Sequence, residues 1–115
     1  MNFKFLLLLC LFPLVLLGCA KPLPSEKMDY VGTWVSEDNR VNLTITPEGR
    51  LEYVNNQPNR QSSLSVPIKN FEGNNFNAGV GPFSTEFKVN QPPQQDNQGN
   101  WFMVVDNYTL AKISQ

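Results

Sequence analysis

The chain contains no histidine, and its two cysteines, Cys10 and Cys19, both fall within the first twenty residues. Without an imidazole there is no Ser–His or Cys–His pair to activate a nucleophile, and no His-ligated zinc site. Charge runs are missing as well. Nine Lys/Arg and ten Asp/Glu alternate along the chain with no block of either sign. A nucleic-acid surface needs a basic patch, and docking on anionic lipid needs clustered cations, so the order of charges speaks against both. Carboxylates are sparse in the patterns that carry chemistry. Glu37-Asp38 is the only adjacent pair, there is no EF-hand spacing, and a two-carboxylate glycosidase needs a cleft for which a chain this short has little room. Gly79-Val80-Gly81-Pro82 lacks the Lys-Ser/Thr and the following helix of a phosphate loop, and reads as a turn. These absences point to a protein that is not an enzyme and holds no cofactor or metal.

The N-terminal residues form a leader. Lys4 and the free N-terminus supply a positive region, and Phe5 to Leu17 an apolar core. Sixteen residues from Phe5 to Ala20 carry no charge, short of the ~20 that a spanning helix needs. Pro13 also interrupts the run, removing a helix hydrogen bond. The pattern predicts a cleaved signal peptide rather than a membrane anchor, and with no twin Arg the general export route. Its end, Leu16-Leu17-Gly18-Cys19, resembles the lipobox of bacterial lipoproteins. The resemblance implies that Cys19 takes a diacylglyceryl group and that signal peptidase II cuts after Gly18. It also implies sorting to the outer membrane, since Ala20 rather than Asp follows the cysteine. With Cys10 discarded and Cys19 acylated, the mature domain has no thiol left for a disulfide, the usual staple of small exported domains.

Cleavage leaves 97 residues with eight Lys/Arg against ten Asp/Glu, a net charge of −2, enough chain for one domain. Thirteen Asn and seven Gln stand out, concentrated between Asn55 and Asn100. Asn favours turns because its amide bonds the local backbone and tolerates left-handed conformations, so the amides read first as turn formers and second as a sugar- or peptidoglycan-facing surface. Cys19 to Met28, with Pro22 and Pro24, reads as an extended tether reaching up to ~30 Å at ~3.1 Å per residue. The organisation expected is a signal peptide over 1–18, a tether over 19–28 and one β-domain over 29–115.

From Asp29 on, strand signals recur at short intervals. Val41, Leu43 and Ile45 alternate with Asn42, Thr44 and Thr46, a period of two that buries one face. Val31–Ser36, Leu51–Val54, Leu64–Val66, Ile68–Phe71, Phe76–Val80, Trp101–Val105 and Tyr108–Ile113 read as further strands, with Pro67 marking an edge or a bend. Phe83, Thr85, Phe87 and Val89 share a face of one more strand, and Gln91–Asn100 reads as a mobile loop. The fold class expected is all-β: a small antiparallel up-and-down barrel or sandwich of seven to nine short strands.

Gly32-Thr33-Trp34 resembles the Gly-x-Trp signature near the start of lipocalins and small lipocalin-like bacterial lipoproteins. In that fold the Trp packs across the closed base of the barrel, and the resemblance implies a carrier of a small apolar ligand. Trp34 as an ordinary core anchor is the simpler reading. Candidate ligand or partner contacts are Trp34, Phe83, Phe87 and Trp101. The leading expectation is a lipid-anchored, non-enzymatic binding or structural module of the cell envelope, held to the outer membrane through Cys19, with an envelope protein or peptidoglycan as partner. The alternatives are the carrier, and an inhibitor of an envelope-attacking enzyme acting through Gln91–Asn100.

Overall fold

The computed structural model describes residues 20–114. The leader, the lipobox and Cys19 lie outside the described residues. After a 3-10 helix, Ser25–Tyr30, the chain forms nine strands. These are β1 Gly32–Ser36, β2 Val41–Ile45, β3 Arg50–Gln57, β4 Arg60–Glu72, β5 Asn75–Val80, β6 Phe83–Phe87, β7 Val89–Gln95, β8 Trp101–Val105 and β9 Tyr108–Ser114. All pairings are antiparallel, in the order β6-β5-β4-β3-β2-β1-β9-β8-β7, and the single sheet curls into a half-barrel. The expected all-β meander is the fold.

The pairing order fixes how the two ends of the sheet meet. Direction reverses at every antiparallel step. β6 lies five steps from β1 on one side and β7 three steps on the other, both odd, so the two run the same way. Only Lys88 separates them. One residue cannot make a hairpin, and equal direction forbids one, so β6 and β7 are the halves of one bent run. The first half pairs with β5 and the second with β8. Counted this way the chain makes eight up-and-down runs. The bend is clasped by polar groups: the Lys88 N–H donates to Asp106 Oδ1 (3.0 Å), the Asp106 N–H to the Lys88 carbonyl (2.7 Å), and the Val89 N–H to Asn75 Oδ1 (2.8 Å).

A second bend lies in β4. Its residues 60–67 pair with β3 and its residues from Ile68 on pair with β5, so the stretch expected as two strands is one strand that changes partners after Pro67. Pro67 has no N–H to offer, and the next N–H, that of Ile68, donates to the Gly49 carbonyl (2.8 Å). Gln91–Asn100 also departs from expectation. Gln91 to Gln95 belong to β7, whose Pro92 and Pro93 are tolerated at a sheet edge, and only Asp96–Asn100 form a loop.

The buried side of every strand from β1 to β9 contributes to one core of Trp34, Leu43, Ile45, Leu51, Phe76, Phe87, Met103 and Leu110 among others. Phe87 stacks on Phe76 (centroids 5.0 Å, 17°) and meets Tyr53 edge-on (5.1 Å, 78°), arrangements that aromatic quadrupoles favour. No buried side-chain nitrogen or oxygen among the described residues is without a hydrogen bond.

Candidate functional site

One end of the half-barrel is plugged by the 3-10 helix. Tyr30 ends it, buried, with its ring edge-on to Phe71 and Phe76 and its hydroxyl donating to the Asn74 carbonyl (2.9 Å). Burial raises its pKa from 10.0 to about 12, because the phenolate would lose its hydration. Trp34 Nε1 donates to the Tyr30 carbonyl (2.9 Å), and the ring is fully buried. Lys112 lies between two indoles, its ammonium 4.9 Å from the Trp34 centroid and 4.9 Å from that of Trp101, while donating to the Asp29 carbonyl (3.2 Å). Desolvation pushes its pKa down, and the carboxylate of Asp29 partly opposes that. Cation–π attraction supplies the rest of its satisfaction.

The four aromatic candidates therefore separate. Trp34 and Phe87 are core and cannot touch a partner. Trp101 is half-buried against Lys112 at the plugged end. Phe83 is 77% exposed. Phe83, Thr85 and Phe87 do share a face by register, as do their partners Val80, Ala78 and Phe76. That face leaves the core before the hairpin ends: on β5 it is covered as far as Ala78 and on β6 only at Phe87, which leaves the Val80/Phe83 end uncovered. Gly81-Pro82 makes the turn, as expected, and Val80 beside it is 55% exposed. With Leu64 and Val66 of β4, the uncovered end lines an open, mainly apolar groove of about 310 Å³.

The N-terminal residues build a second feature. The stretch expected as an extended tether is folded against the barrel from Leu23 on. Leu23 is buried, its N–H donates to the Pro47 carbonyl (3.1 Å), and the 3-10 helix follows at Ser25. The Lys21 carbonyl packs against Gly49, whose φ of +94° and missing Cβ leave room for it. Between this segment and β4 runs a cleft of about 530 Å³, lined by Lys21, Lys27 and Lys69 with Glu26 as its one acid. Lys27 donates to the Gly73 carbonyl (2.7 Å) and lies over the Tyr30 and Phe71 rings (5.5 and 5.2 Å). Lys69 donates to the Gly81 carbonyl (2.6 Å), which ties the cleft to the tip of the β5–β6 hairpin. Three lysines scattered over forty-nine positions thus meet around one cleft, which their spacing in sequence did not signal. The turn at Gly79–Pro82 was legible, but the exposure of Phe83 beside it was not, since period two places Phe83 on one face with the buried Phe87.

The amide-rich segment ends in a rigid turn. Asp96 Oδ1 accepts the N–H groups of Gln98 and Asn100 (2.9 Å each), and the bond from Asn100 leads the causes that hold its carboxyl below the usual range. Asp38 plays the same part between β1 and β2, where the Ser36 hydroxyl and then the Arg40 N–H lower its pKa. Among the described residues, no three His, Cys, Asp or Glu side chains are placed to hold a metal, and no helix is long and apolar enough to cross a membrane. No protein-family model, curated protein or solved structure matches the chain.

Proposed function

We propose that this chain is a lipid-anchored, non-enzymatic module of the bacterial cell envelope, held at the outer membrane through acylated Cys19 and acting through its surface on an envelope protein or on peptidoglycan. The observation that carries the reading is the filled interior. Trp34, Phe76, Phe87 and Met103 occupy the space where a carrier would hold its ligand, and each is fully or almost fully buried. A barrel of about eight short runs is just wide enough for its own side chains. That leaves the surface and the lipobox-like segment to supply the function, and the lack of histidine, with no metal-holding group of acids among the described residues, supports a non-catalytic role.

The carrier reading loses ground because, of Trp34, Phe83 and Phe87, only Phe83 reaches an open groove. The inhibitor reading loses half of its loop, since Gln91–Gln95 of Gln91–Asn100 is strand.

Expression of the full chain in a bacterial host with an alkyne-palmitate label tests the anchor. The wild type is expected to take up label and fractionate with membranes, while Cys19→Ser stays unlabelled and accumulates uncleaved. Equal labelling of both, or none of the wild type, refutes acylation at Cys19. Crosslinking and pull-down of the acylated protein in mild detergent tests the surface role; a strictly monomeric protein that also fails to sediment with peptidoglycan refutes it.

A further inference from the structure

We propose that the tip of the β5–β6 hairpin, Val80-Gly81-Pro82-Phe83, is a second membrane contact that enters the headgroup region of an anionic bilayer beside the lipid anchor. The proposal rests on the lipid-anchored reading above and adds an orientation to it.

The first support is distance. Leu23 is fixed in the core and hydrogen-bonded to Pro47, so only Ala20, Lys21 and Pro22 separate it from Cys19. At ~3.3–3.6 Å per residue, four steps span at most about 14 Å, less than half the reach of a free ten-residue tether. Acyl chains on Cys19 therefore bring the face around Lys21 and Pro22 down to the bilayer instead of letting the domain tumble above it.

The second support is what lies on that face. Lys69 lines the cleft beside Lys21 and Pro22, and its ammonium donates to the carbonyl of Gly81 in the hairpin turn (2.6 Å). The anchor exit and the hairpin tip are thus neighbours through one side chain. The tip presents Val80 and Phe83 as an exposed cross-strand pair on a two-residue turn. A large aromatic 77% exposed at a hairpin tip has apolar area to lose to any less polar medium. Lys69 reaches the tip, and it shares its cleft with Lys21 and Lys27 against a single acid, Glu26, a basic flank that anionic headgroups complement. An apolar tip flanked by lysines forms an interfacial pattern, in which the ring enters at headgroup depth and the ammonium groups stay at the phosphates.

A spin label tests this in the complete acylated protein, whose mature chain offers no other free thiol once Cys19 is modified. Labels at Phe83→Cys and Val80→Cys are compared with one at Asn59→Cys, in the turn at the other end of β4. The protein is reconstituted into vesicles of phosphatidylethanolamine and phosphatidylglycerol. The labels at 80 and 83 are expected to gain several-fold in oxygen over nickel-chelate accessibility relative to detergent solution, while the label at 59 does not change. Lys69→Gln should reduce the gain, and vesicles without phosphatidylglycerol should do the same. If the protein sediments with vesicles but positions 80 and 83 stay as water-exposed as 59, the hairpin proposal is overturned and the anchor stands. If the protein is unacylated and does not sediment, both fall. Protection at 83 that appears only with a co-purified protein, and not in vesicles, also overturns it in favour of a protein partner.

Discussion

Tyr30 joins three parts of the molecule: it ends the 3-10 helix, its ring packs edge-on against Phe71 and Phe76, and its hydroxyl ties down the β4–β5 turn at Asn74. Its folded pKa of about 12 lies above the usual 10.0, so the folded state holds this proton more tightly than the unfolded chain does. The stabilisation is fully present below pH 10 and is lost as pH rises from there towards 12, on the order of 2 kcal/mol for one deeply buried phenol. Urea midpoints measured across that window should fall steeply in the wild type. Tyr30→Phe should start about 1 kcal/mol less stable at neutral pH, for the lost hydrogen bond, and then fall much less. The residual fall belongs to Tyr53, whose pKa burial also raises. Parallel falls in both proteins would assign the alkaline weakness to another group. None of this was visible in the residue's local sequence, because the partners of Tyr30 lie more than forty positions away.

At the scale of elements, the turns were the most legible parts. Asp106-Asn107 takes two positive φ values, 49° and 71°, as a tight two-residue hairpin requires and as Asp and Asn tolerate. Pro67 was legible as an edge or a bend without deciding which, and Lys88, inside an alternating run, gave no sign of a corner. The register of both flanking strands decides which, and register is a long-range property. Gly49 marks another such meeting. A Cβ there would run into the Lys21 carbonyl, and at φ +94° it would strain the backbone besides. Gly49→Ala should destabilise the domain by about 1–3 kcal/mol and loosen the N-terminal segment, seen as faster trypsin cleavage after Lys27. An unchanged midpoint with unchanged cleavage would mean that the segment is not held at this point.

For the molecule as a whole, stability comes from packing, since residues 20–114 include no cysteine. The aromatic stack of Tyr30, Phe76, Phe87 and Tyr53 spans the interior, so a vacancy in it cannot be filled from one side. Phe87→Ala should cost about 3–5 kcal/mol in urea unfolding, whereas Phe83→Ala on the same strand face should cost well under 1 kcal/mol. Comparable losses would place Phe83 inside the core and remove the exposed tip from consideration.

Alternation with period two and the backbone demands of Asn, Gly and Pro act over a few residues, so the fold class, most of the strands and the turns were legible in the sequence, while β7 was not. The sequence also carries the lipobox pattern that directs attention to Cys19. The tertiary structure settles which part of an apolar face is covered, that β4 turns a corner at Pro67 and the β6–β7 run at Lys88, and that the segment expected as a tether folds back on the barrel. It alone brought Lys21, Lys27 and Lys69 to one cleft beside an uncovered hairpin tip. Burial and charge clustering depend on which distant segments meet, and that is set by register and closure, which no local window of sequence contains.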